Sequence, residues 1–139
     1  METVCLAHEI DDVKTKAVHA IETYEDVNFI LDKINEQKRL LDGLTERLSQ
    51  VNSLVNNFIC EHDQAAIVLI SAKELLKILR KFIAKTKGHK LYPGYKTSLK
   101  TLVNTVDDFE EYMQDFKFRH NVEAQSSMNN LFSGFSISI

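Results

Sequence analysis

The stretch LTERLSQVNSLVNNFICEHDQAAIVLISAKELLKILRKFIAKT, residues 44–86, decides how the chain is read. Alternating steps of four and three from Leu44 reach Leu48, Val51, Val55, Phe58, His62, Ala65, Leu69, Ala72, Leu76, Leu79, Ile83 and Thr86. Eleven of these thirteen positions are apolar, and the phase never slips. That spacing marks a helix with one buried seam. An unbroken helix of this length would span about 60 Å. It would not be stable alone in water, so the other segments must pack along it. Leu54, Val68, Leu75 and Phe82 sit one position before seam residues and widen the apolar stripe, as two neighbouring helices require.

The same pattern recurs on either side. Before the central stretch it runs through Leu6, Ile10, Val13, Ala17, Ala20, Tyr24, Val27, Leu31, Ile34, Lys38 and Leu41. After it come Tyr95, Leu99, Leu102, Val106, Phe109, Met113, Phe116 and His120. Breakers cluster at Asp42-Gly43, Gly88, Pro93-Gly94 and Gly134, and divide the chain into segments of similar length near 3–42, 44–87 and 94–132. The expected fold is all-α: an elongated antiparallel three-helix bundle with long, coiled-coil-like helices over 1–132, followed by an apolar C-terminal tail at 133–139. The alternative is a four-helix bundle with a break near 62–64, where Asp63 offers a helix start. Thr23 and Asp26 likewise resemble a capping box, against which the unbroken first seam argues.

Length and composition suit one domain: 139 residues, 44% hydrophobic and 27% charged, with four glycines and one proline. Residues 1–9 lack the basic and apolar regions of a signal peptide, and no apolar run approaches the length of a membrane span. A cytoplasmic location is the expectation. There is no phosphate loop, no paired-cysteine zinc spacing and no nucleophile beside an identifiable base. His19 and Glu22 give a single His-x-x-Glu spacing with no second copy, so neither a metal nor a cofactor is expected. The chain reads as non-enzymatic.

Three polar residues occupy seam positions. In the three-helix register His62 lies level with both His120 and Tyr24, which predicts a hydrogen-bonded polar layer in the core. Such a layer sets register, and two histidines in it would offer a pH-sensing role. The same register places Cys60 far from Cys5, so no intrachain bridge is expected.

Charge is distributed unevenly. From Lys73 to Lys100 there are nine basic residues and one acid, a local balance of +8 in a chain of net charge −3. Lys81, Lys85, Lys87, Lys90 and Lys96 would form an anion-binding tip for acidic lipid, nucleic acid or an acidic partner. Tyr92 and Tyr95 in the same loop suit stacking or interfacial burial. Asp107, Asp108, Glu110, Glu111 and Asp115 form an opposing negative band.

The run Ala65-Ala66-Ile67-Val68-Leu69-Ile70 is apolar all round, and Ile67, Ile70 and Ile78 point away from the seam. A helix apolar on every side is covered on every side. The leading expectation is therefore an interaction module, an adaptor or assembly subunit. It would bind a protein partner or itself, as a homodimer, through the outer face of the central helix. A peripheral binder of anionic surfaces and a helical sensor with a polar core layer are the alternatives.

Overall fold

The computed structural model describes residues 5–25, 31–89 and 91–120. Four helices occupy them: α1 Leu6–Glu25, α2 Leu31–Asn57, α3 His62–Thr86 and α4 Tyr95–Arg119. The four-helix alternative therefore fits, and the three-helix bundle does not. The tail 133–139 lies outside the described residues.

The seam residues are buried largely as their spacing dictates. Leu6, Ile10, Val13, Ala17 and Ala20 of α1 face Leu41, Leu44, Leu48, Val51 and Val55 of α2 in one continuous core. α3 adds Ala65, Leu69, Ala72, Leu76 and Leu79, with Val68, Leu75 and Phe82 from its second stripe. α4 closes the core with Leu99, Leu102, Val106, Phe109, Met113 and Phe116. One position in the first seam is shifted: Gln37 is buried and Lys38 exposed. The Gln37 amide donates to the carbonyl of Ala20 at 3.1 Å, which satisfies a polar group where a lysine would stand unpaired.

The single long central helix is corrected to two, joined by Phe58-Ile59-Cys60-Glu61. Neither glycine nor proline marks this break. Contacts made in the folded chain supply what the local sequence lacks. The Arg119 guanidinium, at the end of α4, donates to the carbonyls of Val55 at 2.9 Å and Phe58 at 3.1 Å. The Val55 carbonyl also accepts the Phe58 N–H at 3.3 Å, whereas the Phe58 carbonyl lies just beyond the end of α2. The Cys60 N–H donates to His120 Nε2 at 3.2 Å. Glu61 is extended, and α3 starts at the next residue.

The expected turn at Asp42-Gly43 is likewise corrected: both lie inside α2. Gly43 faces solvent between buried Leu41 and Leu44, so it loses only propensity, about 1 kcal/mol relative to alanine. Gly88 and Gly94 are the true punctuation. Their φ values of 88° and 86° are left-handed, and they bound the connection from α3 to α4.

Side-chain pairs fix the directions. Gln37 with Ala20, and Arg47 with Glu9 and Asp12, run α1 against α2. Arg80 with Asp107 and Glu110 runs α3 against α4. Lys14 with Glu74 and Lys85 with Glu25 hold α1 and α3 parallel, offset by 60 residues. The Asn52 amide donates to the Thr105 carbonyl at 3.1 Å, beside which α2 and α4 also run parallel. Each helix packs on two others. Among the described residues the α1 and α4 backbones do not come within 8 Å of each other, Cα to Cα, nor do those of α2 and α3, so the 58–61 connection crosses the diagonal of the bundle.

Arg119→Met tests the clamp on that crossover. Three charge-assisted bonds are lost, those to the two carbonyls and one to Asp115, from a side chain about a quarter exposed (27%). The expected cost is about 1–2 kcal/mol, seen as a fall of roughly 3–8 °C in the thermal midpoint. Unchanged stability would mean that water replaces the guanidinium without loss.

Candidate functional site

The candidate site is the face shared by α1 and α3. Val18 of α1 is 37% exposed, and Ile67 and Ile70 of α3 are 56% and 42% exposed. All three border one open cleft of about 650 Å³. Lys14 bridges to Glu74 at 2.7 Å across this cleft, and the bond to that carboxylate, followed by its charge, raises the Lys14 pKa. A second cleft of about 500 Å³ lies at the crossover end and shares Ile67.

Ile78 does not belong to this exposed face; it is half-buried and packs on the core. Eleven residues, about three turns, separate it from Ile67, so both share a helical phase. Their exposures nevertheless differ. By the 60-residue offset Ile67 lies level with Ala7 and Ile78 with Val18. Helical phase is legible in a sequence; the size of the facing side chain depends on topology.

Of the three polar seam residues, the structure brings two together. His62 Nδ1 lies 3.3 Å from the His120 carbonyl. The His120 ring bonds through Nδ1 to the Phe116 carbonyl at 2.8 Å and accepts the Cys60 N–H at Nε2. This pairing requires a neutral ring with its proton on Nδ1. Tyr24 is at the opposite end, its hydroxyl donating to the Lys85 carbonyl at 3.5 Å and 3.4 Å from His89 Nδ1. A single layer of Tyr24, His62 and His120 does not form, because α1 ends at Glu25 and does not pair with the central stretch as one long helix would.

The basic residues gather at the end of α3 and the start of α4, but some are answered. Lys85 reaches Glu25 at 2.7 Å, and this hydrogen bond and charge, with a weaker contribution from Lys81, hold the Glu25 carboxyl below its usual range. Arg80 turns inward to Asp107 at 2.9 Å and Glu110 at 3.3 Å. Lys87 and Lys96 are exposed on either side of the 88–94 connection, with no ion pair among the described residues. Lys90 lies outside the described residues. The loop tyrosines are not available for stacking on a ligand: Tyr92 and Tyr95 are buried, edge to face at 5.2 Å, and burial pushes both phenols up. The negative band of α4 is also partly consumed, by Arg80 and by Arg119, which bonds Asp115 at 2.8 Å.

The separation of the two cysteines is corrected as well. Cys5 and Cys60 border the same 500 Å³ cleft, because α1 and α3 start side by side. Both are free thiols, and burial, with Glu61 adding to it, pushes Cys60 up. No group of three or more metal-ligating side chains is placed to hold an ion among the described residues. No helix among them is long and apolar enough to cross a membrane. Comparison with protein-family models finds no match, and neither do comparisons with curated proteins and with solved structures.

Glu110 supplies the pH dependence that can be tested. Burial raises its carboxyl pKa, and Arg80 offsets this only in part. The folded chain therefore holds this proton more tightly than the unfolded one. Glu110's stabilising contribution is complete below the unfolded pKa and is lost as pH rises through the folded one. Glu110→Gln should flatten the fall of the urea midpoint as pH rises from about 4, the ordinary glutamate value, and leave stability at neutral pH no lower than the parent's. A steeper pH profile in the variant would contradict this account.

Proposed function

We propose that this protein is a non-enzymatic helical interaction module, an adaptor or assembly subunit. It binds a partner helix, or a second copy of itself, on the α1–α3 face. The observation that carries this reading is the juxtaposition of Val18, Ile67 and Ile70 on one open cleft, with the Lys14–Glu74 pair crossing it. Large apolar side chains scattered singly over a surface mean little, whereas a run of them along a groove suits the anchors of an amphipathic helix. Burying an isoleucine fully contributes about 1.5–3 kcal/mol, so covering these half-exposed side chains favours association, and a micromolar complex, about 8 kcal/mol, needs further contacts around them.

Light scattering on a sizing column at two protein concentrations tests the self-association arm. A mass near twice 16.0 kDa would favour assembly. Ile70→Glu should then return the mass to that of one chain while far-ultraviolet dichroism stays unchanged. Loss of helicity instead would mean that the side chain serves the fold.

A second reading rests on Lys87 and Lys96, exposed beside the 88–94 connection with Lys81 close by on α3. They would contact an acidic lipid surface, nucleic acid or an acidic partner. Binding to acidic vesicles or to nucleic acid should weaken steeply between low and physiological salt. Salt-independent binding, or none at low salt, would remove this reading.

A further inference from the structure

We propose that the groove between α2 and α4 binds a linear aliphatic polyamine of the spermine class. α2 packs against α1 and α4, and α3 against the same two, so this groove lies on the edge of the bundle opposite the α1–α3 face. Two pockets make it up, one of about 570 Å³ and a narrower one of about 200 Å³, and Ser49 and Thr105 border both. The helices run parallel here, and the Asn52–Thr105 bond sets an offset of 53 residues, which puts Asp108 level with residue 55 of α2. From that level back to Asp42 is about 20 Å along the helix axis.

Every residue bordering the two pockets carries a polar side chain, and the charge has one sign. Asp42 and Glu46 stand at one end and Asp108 at the other, while no lysine or arginine borders either pocket. None of the three carboxylates has an ion pair among the described residues. Asp108 lies too far from the other two to share a metal ion with them, and no metal-holding group includes any of the three. Between the ends stand acceptors. The hydroxyls of Thr45, Thr101 and Thr105 donate to the carbonyls four residues back at 2.8–3.1 Å, so their remaining capacity is to accept. Asn52 points to what is bound. It is 7% exposed, and its side chain reaches across the floor of the groove, where Nδ2 donates to the Thr105 carbonyl at 3.1 Å. The residue borders the narrower pocket, yet its Oδ1 is buried with no donor among the described residues. An acceptor left so costs about 1–3 kcal/mol, which an N–H donor entering the pocket recovers. With carboxylates at both ends, that donor is best carried by a cation. Ammonium groups spaced along a hydrocarbon chain satisfy the whole groove: the terminal ones meet Asp42, Glu46 and Asp108, and an inner one meets Asn52 Oδ1. This site is separate from the α1–α3 interaction face and does not depend on it.

Isothermal titration calorimetry of the full-length protein with spermine at low salt tests this, and one saturable site per chain is expected. The α,ω-diamine of dodecane, equal in length but without inner nitrogens, should bind at least about tenfold more weakly, as should spermine to Asn52→Leu. Circular dichroism and the thermal midpoint without ligand show whether that variant folds. The double variant Asp42→Asn, Asp108→Asn leaves the core untouched and should weaken spermine binding at least about fivefold. Its control is Asp11→Asn, Glu22→Gln, which changes net charge equally on the opposite edge of the bundle and should leave the affinity unchanged. No saturable binding, equal binding of the diamine, or equal affinities in the two double variants would overturn the proposal. So would tetralysine binding more tightly than spermine, since it would assign the groove to a basic peptide.

Discussion

The bundle depends on closing the crossover at residues 58–61. α2 and α3 are consecutive in sequence yet diagonal in space, so a connection of four residues spans the core's end and leaves backbone groups without helical partners. The end of α4 answers them: Arg119 donates to the Phe58 carbonyl, and also to that of Val55 beside the Phe58 N–H, and His120 receives the Cys60 N–H. Unpaired, such groups would cost about 1–3 kcal/mol each where they are buried. The middle of the chain can therefore take its course only because the end of the chain returns to it. The contacts that close the crossover join residues 60 to 64 apart in sequence.

Placing α2 and α3 on a diagonal makes α1 and α3 parallel neighbours, and this generates the candidate face. Parallel helices offset by 60 residues put Ala7 level with Ile67, which is 56% exposed. Farther along, Ile21 and Ile78 pack on the core and leave less apolar surface exposed. The ends of α1 and α3 also coincide at the crossover, which brings Cys5 beside Cys60. A bundle of three antiparallel helices would have produced neither pairing.

Burial was legible in the sequence, residue by residue, because the steps of four and three follow from helical geometry alone. Leu44, Leu48, Val51 and Val55 on one side of the crossover and Ala65, Leu69, Ala72 and Leu76 on the other are all in the core. Connectivity was not legible. Phe58 and His62 keep the seam's phase across a true break, and Gly43 suggests a false one from the solvent face of α2. The nearness of His62 and His120 could be anticipated because the α3–α4 hairpin register survives the break. Tyr24 could not be placed, since its level depends on where α1 ends. Likewise Ile67 and Ile70 stood out as apolar residues off the seam, but whether Ile78 joined them depended on which side chain faced it.

The relative weight of the two surfaces follows from how their groups are already used. Among the basic residues from Lys73 to Lys100, Arg80 and Lys85 meet carboxylates within the fold, so the formal charge overstates the field that a partner would meet. The remaining exposed lysines interact across water, where a single ion pair contributes about 0–1 kcal/mol and weakens with salt. Ile67 and Ile70 have no such internal claim on them, and each contributes more than a lysine once it is covered. If one partner used both surfaces, the lysines would speed the encounter and the isoleucines would hold the complex. Its association rate would then vary with ionic strength far more than its dissociation rate.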